Sequence, residues 1–424
     1  FQDRAAIPET ANIESTDTIT DICNRLDGMP LAIELAAARV EALSLDRVAE
    51  RLHDQIALLS RHTTRDHHGS LRATLDWSFD LLTGDEQNTL LAVSTFAASF
   101  TLDDAAALIG RTGAEDLVAA LVEASFIQPP DGRGEYRMLE PIRQYATWHL
   151  QNTGGIEPAQ QRHSSWAADY AQQAARHMYT PREPEAHRRL FEKRDDLLTA
   201  IQTAMNHDDP EPVLRILASA GRSLYRAGLH DLVAEPAWWA IKHPAATAND
   251  NYPMACFGAL FVGWRYTTPE EENAVIEQAL ALADQAGDVR AQSEILHYWS
   301  MPPPPFVPVP DRDQQKALDR SIDLARQSGE SRMEQSFLLN KALAQCRLGR
   351  LDEAEAAIHR AEMLGDGTIV QESQWLGRRA YIAILRGDVE AAIDLHEQGA
   401  QAAEPAAGYR SARSMWREVG LCAI

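Results

Sequence analysis

Apolar residues recur three and four positions apart along almost the whole chain, the spacing of one helix face, and strand-like alternation is scarce. Thr16 to Leu26 reads as a first amphipathic helix with Ile19, Ile22, Cys23 and Leu26 on one side, ended by Asp27-Gly28. Pro30 then stands where a helix can open, because the N–H it lacks has no partner in a first turn. The run Leu31 to Ala42 (LAIELAAARVEA) is apolar over most of its circumference, which predicts a buried helix. Ser44 caps a further one with Leu45, Val48, Ala49 and Leu52 on one face. Arg61 to Gly69 (RHTTRDHHG) is polar and aperiodic and reads as a linker. Its His62, His67 and His68 have no carboxylate–histidine pattern at helical spacing, so a solvated loop is expected rather than a metal site.

The pattern changes from Ser70. Leu71, Leu75, Phe79 and Leu82 share a helix face, and Thr83-Gly84-Asp85-Glu86 has the spacing of a capping box for a second helix through Phe96. Thr101 to Asp104 opens a short third helix closed by Gly110, and a fourth covers Ala114 to Ala124. Phe126 to Gln128 and Glu135 to Met138 flank the turn-rich Pro129 to Gly134 and predict a β-hairpin. A last helix carries Ile142, Tyr145, Ala146 and His149. Short helices followed by a hairpin make a winged helix-turn-helix. Its inserted helix, Ala114 to Ala124, holds Glu115, Asp116 and Glu123 and neither Lys nor Arg. Acidic groups facing phosphates cost affinity and cannot pair bidentately with a guanine edge, so no direct DNA contact is expected from it.

Asn152 to Gly155 marks a boundary, beyond which the helical pattern continues with regular breaks. Gly287-Asp288, Gly329-Glu330 and Gly365-Asp366 each follow an amphipathic helix, at spacings of 42 and 36 residues. Gly349 and Gly387, 38 apart, each precede an Ala-rich helix start. These are helix pairs of about tetratricopeptide length, which is about 34 residues. Met301 to Pro310 (MPPPPFVPVP) cannot be helical and reads as an extended inserted loop.

Composition narrows the function. At 424 residues and 47.0 kDa, two or three domains are expected, and 45% apolar residues suffice for a core. A net charge of -22 makes the whole chain a poor polyanion binder. No apolar run is long enough to span a bilayer and no charged, apolar leader opens the sequence, so a cytoplasmic protein with no membrane partner is expected. Cys23, Cys256, Cys346 and Cys422 are far apart and read as reduced, mostly buried thiols. The lysines are Lys193, Lys242, Lys316 and Lys341, and none follows glycine. A phosphate-cradling P-loop needs that glycine, so the chain contains none. HExxH, GxSxG and helix-opening GxGxxG patterns are likewise absent, and His163, His187 and His297 lie among helices without a neighbouring nucleophile or ligand pattern. Independent catalysis is not expected.

Gly28 to Arg39 (GMPLAIELAAAR) resembles the GxPLAIELAAAR segment of STAND-class signalling ATPases, and more closely the NB-ARC-type modules of actinobacterial regulators of the LuxR and antibiotic-regulator kinds. Ser70 to Leu82 (SLRATLDWSFDLL), Phe96 to Leu102 (FAASFTL), Tyr136 to Ala146 (YRMLEPIRQYA) and Leu190 to Ile201 (LFEKRDDLLTAI) resemble later blocks of that family in the same order. The likeness runs block by block over about 1–205 and is architectural beyond, as tetratricopeptide repeats. It implies a mainly α chain: a helical lid subdomain over 1–60, a linker over 61–69, a winged helix over 70–153 and a TPR-like α-solenoid over 154–424.

In such proteins the P-loop and the Mg-binding acid lie upstream, so the resemblance implies a C-terminal part of a longer regulator, opened by Phe1 to Ala5 just before the lid. It also implies ATP or ADP bound in the complete protein, touched near the adenine by Gly28, Pro30 and Leu31. A small glycine permits close backbone approach, and a proline offers a flat apolar surface. The family's Met-His-Asp phosphate sensor aligns with Met138, Leu139 and Glu140. Leu139 cannot hydrogen-bond a phosphate and Glu140 repels one, so no ligand is assigned there. The expected function is the regulatory part of an ATP-dependent transcriptional switch, with an upstream P-loop subdomain in cis and a protein or small-molecule effector on the repeat array. The alternative is a nucleotide-independent interaction scaffold.

Overall fold

The computed structural model describes residues 5, 13–26, 30–50, 67–263, 267–300, 313–365 and 369–403. The chain is mainly α. It divides into two compact units, Phe1–Trp166 and Ala167–Ile424. No described helix is long and apolar enough to cross a membrane.

The first unit opens with α1 (Ile13–Arg25), α2 (Pro30–Ala37), α3 (Val40–Leu43) and the helical residues 45–50 (α4). The single helix expected over Leu31 to Ala42 is therefore two. It breaks at Ala38 and Arg39, whose backbone N–H groups reach back to Glu34 and Ala36. Helix α5 (His67–Asp80) begins earlier than its periodicity suggests, so His67, His68 and Gly69 lie in its first turn rather than in a linker. His62 and the rest of 51–66 lie outside the described residues. Trp77 of α5 is fully buried against Ile22, Leu26, Ala32, Ala36 and Val48. Alanines on α2 let that helix approach the indole closely, which is why its surface carries so little bulk.

The next helices are α6 (Gly84–Val93), α7 (Leu102–Ile109), α8 (Ala114–Glu123) and α9 (Glu140–Thr153). Thr83 and Thr101 both form complete capping boxes, with Glu86 and Asp104 returning the bond. Phe96 and Phe100 stack at 4.9 Å in the core beneath them, and Arg143 of α9 donates to the Ser94 carbonyl at 3.1 Å.

The expected β-hairpin is not formed as paired strands. Two isolated antiparallel bridges stand in its place, Phe100 with Tyr136 and Gln128 with Arg137. Pro129 and Pro130 have no N–H to continue a ladder past Gln128. The turn is closed instead by the Asp131 carboxylate, which accepts from the Arg133 and Glu135 backbone N–H groups at 2.8 and 3.1 Å.

Helix α10 (Ile156–Ala175) contains the boundary between the units. The second unit continues with α11 (Glu183–Glu192), α12 (Arg194–Asn206), α13 (Glu211–Arg226), α14 (His230–Lys242), α15 (Tyr252–Gly263), α16 (Pro269–Gln285) and α17 (Val289–Ser300). It ends with α18 (Gln314–Gln327), α19 (Ser331–Arg347), α20 (Leu351–Met363), α21 (Ile369–Arg386) and α22 (Val389–Ala403). From α12 onward each helix packs on the next, and α13, α15 and α17 also pack in series, as do α19 and α21. That is a two-layer helical solenoid. Gly349 and Gly387 end α19 and α21 with φ of 73° and 83°, a left-handed conformation that spares glycine the Cβ clash of other residues. The proline run 301–310 lies outside the described residues.

Candidate functional site

Pro30 is the first residue of α2 and is exposed; Leu31 follows it inside the helix, and Gly28 lies outside the described residues. The first turn of α2 carries no acidic residue, so no side chain of that turn offsets the positive potential of the helix start. The other end of the segment is fixed. Arg39 Nη2 donates to the Ser78 carbonyl of α5 at 3.0 Å, and burial lowers the guanidinium's pKa against the field of Glu86. The exposed helix start and the buried Trp77 contact thus belong to one short rigid element.

At the aligned phosphate-sensor positions, Met138 is buried, Leu139 precedes α9 without a side-chain cap, and exposed Glu140 pairs with Arg143 at 3.6 Å. On α8, Glu115, Asp116 and Glu123 are all exposed.

The second unit holds a buried polar cluster. Tyr179 Oη donates to Glu294 Oε2 at 2.9 Å and accepts from Arg222. The guanidiniums of Arg222 and Arg290 lie 5.2 and 5.7 Å from the centre of the Tyr179 ring, within cation–π range. Burial raises the Glu294 carboxyl above the ordinary range, with Arg222 and Arg290 pulling the other way. Beside it, His187 lies 2.8 Å from Ser223 Oγ and 3.4 Å from Glu183, and Arg226 donates to its Nε2 at 3.1 Å. Burial pushes the Glu183 carboxyl up, but contact with His187 and the charges of Arg222 and Arg226 outweigh it and hold the group at about 2. Among the described residues no cluster of metal-ligating side chains occurs.

His297 of α17 is buried, stacks on Phe337 with ring centres 3.8 Å apart, and meets Asn340 Nδ2 at 2.9 Å. Burial, aided by Arg222, lowers its pKa from 6.5 to about 3. The unfolded chain therefore binds a proton below pH 6.5 that the folded chain refuses, and stability falls as pH drops from 6.5 toward 3. The expected loss is on the order of a few kcal/mol. Urea titrations across this range should show a flatter pH dependence for His297→Gln, which keeps donor and acceptor but cannot titrate. An unchanged slope would remove His297 as its source.

No family model matches the chain. Over 319 residues it is 30% identical to a protein named "Putative HTH-type transcriptional regulator" in Mycobacterium tuberculosis and to its namesake in Mycobacterium bovis, covering 69% of this chain and 35% of theirs. The chain is related to mycobacterial HTH-type regulators. It spans about a third of the length of those relatives. An "Uncharacterized protein" of M. tuberculosis is 37% identical over 158 residues, 34% of this chain and 39% of that one. Among solved structures, a STAND protein with a tetratricopeptide repeat sensor from Pyrococcus horikoshii superposes with a TM-score of 0.44 at 12% identity, over 91% of this chain and 61% of that one.

In this regulator-like chain, the sequence marks Pro30 as a helix start but gives no sign of the Arg39–Ser78 tie or of the buried cluster. Tyr179 and Glu294 are 115 positions apart, so no local spacing joins them. The available signal was charge beside buried apolar positions: half-buried Arg222 follows the buried Ala220 and Gly221, and buried Glu294 precedes buried Ile295.

Proposed function

We propose that this chain is the regulatory portion of a STAND-type transcriptional switch. ATP or ADP is held in the complete protein between an upstream P-loop subdomain and the lid start at Gly28, Pro30 and Leu31. The repeat array senses a protein or small-molecule effector. The observation that carries this reading is the construction around α2: Pro30 is exposed and its first turn has no acidic residue, while Trp77 packs on the helix body and Arg39, just past its end, ties the segment to α5. A nucleotide that moved the lid would move α5 with it, which is the differential contact a two-state switch requires. The relatives' names support the transcriptional output. The acidic exposed face of α8 supports an output that does not run through DNA contact at that helix. The chain itself performs no catalysis on this reading, and it acts in the cytoplasm.

The test uses the protein extended upstream to include the P-loop subdomain. Its affinity for a fluorescent ADP analogue should fall about tenfold in Pro30→Ala, the equivalent of about 1.4 kcal/mol. Equal affinities would remove the assigned contact. Effector binding that ignores added ATP would favour the scaffold instead.

A further inference from the structure

We propose that the outer face of α22 is a docking surface for a short basic amphipathic helix, and that its occupant is segment 409–419 of this chain, which lies outside the described residues. The inference stands apart from the nucleotide and effector roles given above.

The face is apolar where a solenoid helix meets its successor. Helix α22 packs along α21. Away from that contact Val389 is 60% exposed and Ile393, one turn on, 53%, while Leu385 in the last turn of α21 is 44% exposed. Inside the array the matching position is covered. Leu351 opens α20 two residues after Gly349, as Val389 opens α22 two residues after Gly387, and Leu351 packs on the core of the second unit. The terminal unit of a solenoid carries a polar outer face. Two branched aliphatic side chains in water one turn apart mark α22 instead as a helix with a neighbour on both sides.

The row beside them is acidic. Glu390, Asp394 and Glu397 are spaced four and three apart, share a helix face and are all exposed. Among the described residues no Lys or Arg pairs with them, and the bond that Asp394 accepts from Gln398 at 2.8 Å leaves its charge in place. A second copy of this face would set acid against acid, so the fitting partner is basic.

Segment 409–419 has the complementary pattern. Tyr409, Ala412, Trp416 and Val419 recur at three and four positions, and Arg410, Arg413 and Arg417 form the row beside them. Gly420 follows where a helix can stop, and 404–408 has the length that joins antiparallel helices. Taken antiparallel, the two charged rows have one spacing: Arg417 falls opposite Glu390, Arg413 opposite Asp394 and Arg410 opposite Glu397. The array uses the same device one step earlier. Helix α21 meets α20 with Arg386 on Asp352 at 2.9 Å and Arg379 on Glu355 at 3.3 Å, the late arginine on the early acid. Arg379 and Arg386 have the separation of Arg410 and Arg417. Exposed ion pairs are individually weak, so burial of Val389, Ile393 and Trp416 carries the docking and the charged rows fix its direction.

The experiment treats the whole chain with dilute trypsin and times cleavage after Arg413 by mass spectrometry. A synthetic peptide of 404–424, with the same tail sequence as each variant, sets the undocked rate. Cleavage tracks the undocked fraction when opening is fast, so the chain should be cut at least about tenfold more slowly than the peptide. Ile393→Asp, at an exposed side chain, should return the rate to that of the peptide. Glu390→Arg and Arg417→Glu should each speed cleavage, and the two together should restore the slow rate, because the pair is then reversed rather than lost. Circular dichroism melts and sedimentation velocity accompany every variant. Wild-type cleavage at the peptide's rate, protection that survives Ile393→Asp in a folded protein, or no restoration by the double reversal would overturn the proposal. Should Ile393→Asp not fold, the charge reversal decides alone. A dimer that Ile393→Asp turns into a monomer would give the face to a second copy and overturn it as well.

Discussion

Replacing Gly258 with alanine should destabilise the second unit by about 3 kcal/mol or more, the upper end of the cost of overpacking a tight interface. A Cβ at this position would lie 2.1 Å from the Leu217 carbonyl oxygen and 2.8 Å from its carbon. Those atoms are helix backbone, so α13 and α15 must separate along their length. The better helix propensity of alanine returns at most about 1 kcal/mol and cannot offset that. Gly221 faces the same contact from the other side, with its Cβ position 2.5 Å from Gly258 Cα. Gly221→Ala should therefore cost a similar amount. The double variant should cost less than the two added, because the helices part only once. Urea denaturation followed by far-ultraviolet circular dichroism reads all three. A stable Gly258→Ala protein would mean that the backbone-to-backbone approach does not exist.

Trp77→Ala should cost the first unit about 3–5 kcal/mol, the range for removing a buried aromatic and leaving a cavity. Trp77 is 1% exposed and is the side chain around which α1, α2, α4 and α5 meet. Trp77→Phe should be much milder, about 1 kcal/mol or less. The indole N–H has no hydrogen-bond partner among the described residues, so the smaller ring gives up volume but also removes an unpaired buried donor. Thermal unfolding monitored by circular dichroism gives the order: wild type close to Trp77→Phe, both well above Trp77→Ala. In the upstream-extended protein, Trp77→Ala should also separate nucleotide binding from any response of the rest of the chain, whereas Trp77→Phe should not.

These two sites differ in how far the sequence announced them. Trp77 lies off the stripe of Leu71, Leu75, Phe79 and Leu82 that predicted α5, but its block resembled a known regulator segment. Nothing marked Gly221 and Gly258 as partners. Each lies inside a helix, where glycine alone reads as a small loss of propensity, and its purpose appears only when the two helices are set side by side. The same contrast runs through the first unit. Thr83 and Thr101 each form the capping box, because such a box closes within four residues and needs no tertiary help. The hairpin depends on a neighbour. Tyr136 exchanges both backbone bonds with Phe100, at 3.0 and 2.8 Å, and Pro129-Pro130 stops the pairing with Gln128 from growing.

By itself the sequence determined what can be settled locally: the helical periodicity, the caps and breaks that divide it, the absence of a P-loop lysine, and the Pro30 segment as a helix start. Only the tertiary structure decided which side chains would share one environment. Tyr179, Arg222 and the Arg290–Glu294 pair of α17 come from separate parts of the array, and His297 is an unremarkable histidine until Phe337 and Asn340 enclose it. The reason is range. Helix formation and capping act over three or four residues, whereas burial of a charge and the shape of a cavity depend on helices that meet across more than a hundred positions.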